Sequence, residues 1–396
     1  MSLDDDTSSA STLTLLDDDA FKTGLLTVMS DAGPETNGQL KRRAKAVLRE
    51  TESMLTSVHG VKTFGILDGM MEGAGEAGLS SGVRYAAAAI IVADQKGRGS
   101  NLNSPASELT RLAQDWLLFF IWPFKKAYRA GHSPQSEFST PTLHVSDVAA
   151  DAMPATSRRS IFRNLINERD GDKCVVTGTL NIANGPYPRT TEVGEGYLDA
   201  AHILPRSIVH EHPRSNRIAG TIDIIKHYTK LPDEIMDDLA GIIDNPENGM
   251  LLDIALHRGF DSYRWCLHPT DVLHKYKVHW LRYVPLHKEN FTEVQFRDHS
   301  RDGVPLPNPT LIALHSAVAH VLHISGAAEV IDKVYDAFSD EGPTVPSGNR
   351  ASEDDFRIRL SLIGLTTNKH QLPTIPDEMH AFQSSASNRL ISCHCH

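Results

Sequence analysis

His202, Asn248, His257 and Asp261 are the residues whose types and spacing could do chemistry. They lie in three short pieces: DAAHILP at 199–205, NPENGMLL at 245–252 and LHRGFD at 256–261. The chemistry they would suit is hydrolysis of a phosphodiester with the help of one metal ion. The attacking water must lose a proton, and a neutral histidine is suited to take it near pH 7. A divalent cation must offset charge on the phosphate and on the leaving oxygen. Its protein ligands must be few, so that coordination positions stay open for substrate. Base and ligands must also keep a fixed register, because small misplacements are costly. His202 sits in a short apolar stretch closed by Pro205, which predicts a strand. Asn248-Gly249 reads as a turn before Met250-Leu251-Leu252, where the Asn amide can brace the loop. His257 and Asp261 are four residues apart, so a helix here puts both on one face, as paired ligands require.

The run CVVTG from Cys174, then AAHILP, then Asn-Gly-x-Leu-Leu with His-x-x-x-Asp nine residues after the Asn, resembles the HNH endonuclease superfamily. It is similar to the branch with A-A-H-I-x-P, N-G-x-x-L and H-x-x-F-D motifs, common among fungal proteins and found in some bacterial restriction-type nucleases. The likeness covers roughly residues 162–284. It implies a ββα-metal fold and cleavage of nucleic acid, expected to be DNA, with one divalent ion (Mg²⁺, Mn²⁺, Ni²⁺ or Zn²⁺). Carried over by position, His202 is the general base, Asn248 the brace, and His257 and Asp261 metal ligands. Two departures stand out. The position before the base usually carries a ligand, and here it is Ala201. Asp199 lies on the same side of the strand and is the expected substitute. More than forty residues separate Pro205 from Asn248, so a subelement must fold out there, as a cover or a specificity loop. Arg206 and Arg258 flank the two histidines and are candidate phosphate contacts; Arg158, Arg159 and Arg163 offer a basic helix face. Cys174 has no C-x-x-C partner and reads as a small buried residue. His210 and His212 read as turn residues, and the terminal SCHCH as a tail without a role.

The elements that must position these residues give an α+β fold. An acidic tail expected to be disordered (1–37) precedes a small helical domain (38–130), a linker (131–157), an HNH domain with a long helical insertion and C-terminal helices (158–338), and a polar tail (339–396). In the helical domain, Leu40, Ala44, Val47, Leu48 and Met54 share one face. VRYAAAAIIVADQ fits a buried helix, and Ser104-Pro105 opens another that Pro123 should kink or end. A basic helix follows Ser157, with Ile161, Leu165 and Ile166 as its apolar positions. DKCVVTGT reads as a strand turning at Gly178, and WCLHPT with YKVHWLRYV as a strand pair. Two helices broken near Gly326 are expected between Asn308 and Phe338.

The net charge of −11 is opposite in sign to the basic footprint usual for a nucleic-acid enzyme. Its distribution explains it. Residues 1–35 hold eight acids and one base, whereas residues 158–299 hold 18 Lys and Arg against 20 Asp and Glu. Four cysteines are too few for a disulfide framework. The N-terminus lacks a secretory pattern, and the longest apolar run, Trp116–Phe124, is too short for a bilayer. An intracellular place, nucleus or cytoplasm, without a membrane is expected. The rival to an active nuclease is a degenerate HNH module that binds nucleic acid or protein without cutting, which Ala201 favours.

Overall fold

The computed structural model describes residues 14–30, 35–125, 155–187, 193–206, 208, 216–282 and 291–339. The expected linker up to residue 154, His210, His212, the side chains of Arg158 and Arg159, and the tail from residue 340 with its SCHCH end lie outside the described residues.

The first half is helical: α1 (Asp19–Met29), α2 (Asn37–Thr51), α3 (Thr63–Glu76), α4 (Ser80–Gly99) and α5 (Pro105–Trp116), with a two-strand ribbon β1 (Ser57–Val58) and β2 (Val61–Lys62) before α3. Helix α1 falls inside the stretch expected to be a disordered tail. It folds because Leu15, Leu16, Phe21 and Leu25 are buried. Arg84 of α4 donates to the carbonyls of Val28, Met29 and Ser30, which the end of α1 leaves unpaired. Helix α2 buries Leu40, Ala44, Val47 and Leu48 as the periodicity predicts. Met54 lies beyond its end and is exposed. Ser104 caps α5 and Pro105 opens it. The helix is not ended by Pro123: it widens to a π turn at Leu117–Ile121 and runs on to residue 125. Pro123 has no N–H for the carbonyl of Phe119, and the Thr221 hydroxyl donates to that carbonyl at 2.6 Å.

The second half holds α6 (Ala155–Arg169), short β3 (Leu180–Asn181) and β4 (Glu195–Gly196), and β5 (Leu198–His202). The insertion follows as α7 (Asn216–Thr229), α8 (Asp233–Asp237) and α9 (Leu239–Ile243). Then come β6 (Gly249–Asp253), α10 (Ile254–Asp261), β7 (Trp265–Pro269), β8 (Lys275–Trp280), β9 (Glu293–Gln295), α11 (Pro309–Ile324) and α12 (Ala327–Ser339). Helix α6 buries Phe162 and Ile166, with Ile161 exposed rather than in the core. DKCVVTGT is a turn and a single bridge, Lys173 to Leu180, rather than a strand. The break between α11 and α12 falls at Gly326, whose φ is +72°.

One hydrophobic core runs through both halves. The insertion helix α7 packs on α4 and the π turn, and the Tyr228 hydroxyl donates to the carbonyl of Met70 at 2.7 Å. Helix α11 lies against α3 along a glycine stripe. A Cβ on Gly65 would sit 3.2 Å from Ser325 Cα, and one on Gly73 would sit 2.8 Å from the carbonyl oxygen of Ala317. The absence of those side chains is what lets the two backbones approach. Among the described residues no single helix is long and apolar enough to cross a membrane.

Candidate active site

Strands β5 and β6 pair antiparallel, with His202 opposite Gly249 and Asp199 opposite Leu252. Helix α10 follows β6 directly, capped by the Asp253 side chain at the N–H of Ala255. It begins three residues before His257, so His257 and Asp261 stand one turn apart on one face.

Asn248 is fully buried just before β6. Its side-chain oxygen accepts from the N–H of Leu204 at 2.7 Å, and its amide donates to the carbonyls of Leu204 and Ile243 at 3.0 and 3.1 Å. It thereby ties the segment after His202 to the end of the insertion. Gly249 does not mark a turn; its φ is −145°. It is needed for space: a Cβ there would meet Phe162 Cζ at 2.4 Å. The Phe162 ring lies parallel to the His202 imidazole with centroids 4.3 Å apart, so Gly249 leaves room for the ring that seats His202.

A further clamp comes from α6. Arg169 is fully buried beside Asp170. It donates to the carbonyls of Pro246, Gly249 and Pro305, while Asp170 accepts from the N–H of Leu251. Both ions are satisfied by backbone, which is what a buried pair requires.

The His202 side chain is 11 % exposed, and its Nε2 is 3.4 Å from Asp244 Oδ1. Burial pushes its pKa below the ordinary histidine value; Asp244 opposes this and Arg206 adds to it. Asp244 also pairs with Arg206, which is thus engaged with protein rather than presented to solvent. Burial works against the charge on Asp244, yet His202 and Arg206 outweigh it and hold the carboxyl below its usual range.

His257 sits between two acids. Its Nε2 is 3.3 Å from Asp261 Oδ2 and its Nδ1 is 3.8 Å from Asp199 Oδ2. Burial disfavours its protonation, but Asp261 and Asp199 prevail and lift its pKa to about 10. Asp199 is in turn held below the usual carboxylate range, chiefly by His257. It also lies 3.5 Å from Arg163, which donates to the carbonyl of Leu198. Ala201 is fully buried, and Arg258 is exposed on α10. This group of one imidazole and two carboxylates favours positive charge, and its mixed nitrogen and oxygen donors fit a divalent ion. The two acids face opposite ring nitrogens, so they do not converge on one point. His257 Nε2 with Asp261 forms a two-donor edge.

The structure therefore brings together His202, Asn248, His257, Asp261 and Asp199. Reasoning from sequence missed Asp244, Phe162 and the Arg169–Asp170 pair. An acid four residues before the Asn was the available signal for Asp244. A second donor group was also missed: Cys266, His268 and His320, the one trio of such residues among those described whose ligand atoms all lie within 4.8 Å of one another.

Residues 174–268 match the HNH endonuclease family model. No curated protein and no solved structure matches the chain. The matched stretch holds the paired strands, the helix and both histidines described above. The segment from Cys174 to His268 is an HNH endonuclease-family domain.

Proposed function

We propose that this domain hydrolyses phosphodiester bonds of nucleic acid, DNA foremost, with His202 as general base and a divalent ion held by His257 and Asp261. The observation that carries the reading is the opposed electrostatics of the two histidines: His202 is kept neutral and His257 is kept in a setting that selects a cation. A base must have its lone pair free at neutral pH, and a metal ligand needs acidic company. When bound, the ion would offset negative charge on the scissile phosphate and the departing oxygen.

The chain's own residues do the rest. Asp244 accepts from His202 Nε2–H and fixes the tautomer, which leaves the Nδ1 lone pair to take a proton from the attacking water. Asn248 keeps the His202 segment in register with α10. Asp199, in place of a ligand at position 201, orients His257 from its Nδ1 side. Arg258 is the exposed cation beside this group and the better placed of the two flanking arginines to meet a phosphate. The degenerate alternative rests on Ala201, whose buried methyl offers no donor.

Plasmid cleavage with Mg²⁺, Mn²⁺, Ni²⁺ or Zn²⁺ tests the reading. Wild type should nick or linearise DNA with at least one ion. His202→Ala should lower the rate by about 10²–10⁴-fold while the protein stays folded. Cleavage indifferent to the substitution, or absent with every ion, would leave the binding-module reading in its place.

A further inference from the structure

Cys266 and His268 stand two apart on β7, on the same face of the strand. His320 reaches them from α11. Its Nε2 is 2.8 Å from His268 Nε2 and 3.8 Å from Cys266 Sγ. Cys266 and His320 are buried, and His268 is half-buried. His279, paired across the hairpin with Cys266, lies parallel on His268 with ring centroids 4.4 Å apart. No carboxylate belongs to this trio, so it is not an ion pair drawn inward.

We propose that Cys266, His268 and His320 form a structural zinc site, distinct from the nuclease centre. Tetrahedral zinc has bonds of about 2.0–2.1 Å to nitrogen and 2.3 Å to sulfur, so its ligand atoms lie roughly 3.3 Å apart for two nitrogens and 3.6 Å for nitrogen and sulfur. The two edges that His320 makes, 2.8 and 3.8 Å, are within about half an ångström of those values, and the ligand atoms of all three residues lie within 4.8 Å of one another. One thiolate with imidazoles is a zinc-type donor set, too soft for Mg²⁺ or Ca²⁺. His279, with its ring centroid 4.4 Å from that of His268 and 5.2 Å from that of His320, is a further imidazole beside the trio. Binding deprotonates the Cys266 thiol, and the released proton passes to solvent. The ion ties β7, just after the α10 helix, to α11, which also packs against α3. Its role is to fasten the far helix to the domain, so it takes no part in bond cleavage.

The test uses the full chain with Cys393→Ser and Cys395→Ser, so that thiols of the C-terminal tail cannot contribute. Protein purified without chelator should carry at least one equivalent of zinc by elemental analysis, and His257→Ala should keep one. Loading with Co²⁺ should give a thiolate-to-cobalt charge-transfer band. The band should persist in His257→Ala, which separates this site from the nuclease centre, and vanish in Cys266→Ser and in the milder His320→Gln. Absence of the band in the parent chain, its survival in both site variants, or copper in place of zinc would overturn the assignment. The cobalt spectrum of the parent decides even if a variant fails to fold.

Discussion

His202 and His257 are the same residue type held in opposite electrostatic settings by what surrounds each ring. For His202, burial removes the charged form at neutral pH, against the pull of Asp244. The acid limb of a pH–rate profile should therefore fall below the ordinary histidine value of 6.5. Asp244→Asn removes the larger of the two acidic influences that favour protonation, the other being Asp261, so the limb should move to still lower pH. The loss of orientation should also reduce kcat about 10–100-fold. A limb that moves upward, or an unchanged rate, would count against the pairing of Asp244 with His202. At this scale, His202, Asn248, His257 and Asp261 were legible because the spacing of one motif fixes them together. Asp244 was not, because it meets His202 only after more than forty intervening residues fold back through α9.

The ββα unit is held by contacts that its own periodicity does not announce. Gly249→Ala should push Phe162 off the His202 ring, since its Cβ would lie 2.4 Å from Phe162 Cζ and 2.9 Å from Ile166 Cδ1. We expect a loss of roughly 1–3 kcal/mol, read by chemical denaturation, with a further drop in cleavage because the base is unseated. Arg169→Met should cost more, about 3–5 kcal/mol, because Asp170 would be left as an unpaired buried charge. Rescue by Asp170→Asn in the same chain would support that account; additive losses would not. The strand and helix of the motif, the β7–β8 hairpin and the α11–α12 pair could all be read from alternation, caps and glycine. The passage through Pro123 could not, because Thr221, a hundred residues away, supplies what the proline lacks.

Across the whole molecule, the acidic N-terminal stretch is tied down by a buried carboxyl. Asp115 accepts from the N–H of Leu16 at 3.1 Å. Burial pushes its pKa up to about 7, with Arg111 and the neighbouring N–H groups opposing and Asp17 assisting. The folded value lies above the unfolded one, so the fold binds the extra proton. This contribution is present below pH 4 and is lost as pH rises through 7. Asp115→Asn should thus gain stability relative to wild type between pH 5 and pH 8, by up to about 4 kcal/mol in the limit of full burial. Parallel thermal-melting curves across that range would refute it. The net acidity that hid a fold in residues 15–29 is an average over charges with different surroundings, which composition cannot separate.

The glycine stripe on α3 has a consequence in time as well as in space. Its partner α11 also stacks His315 on Phe260, the residue before Asp261, with ring centroids 3.6 Å apart. A chain emerging from the ribosome at about 5–20 residues per second delivers α3 on the order of ten seconds or more before α11. The slot on α3 waits through that whole interval, and the Phe260 face of α10 through its last part, for the same late segment. The nascent protein should depend on chaperones until residue 324 is clear of the exit tunnel. The family-matched stretch 174–268, translated alone, should reach no stable native state.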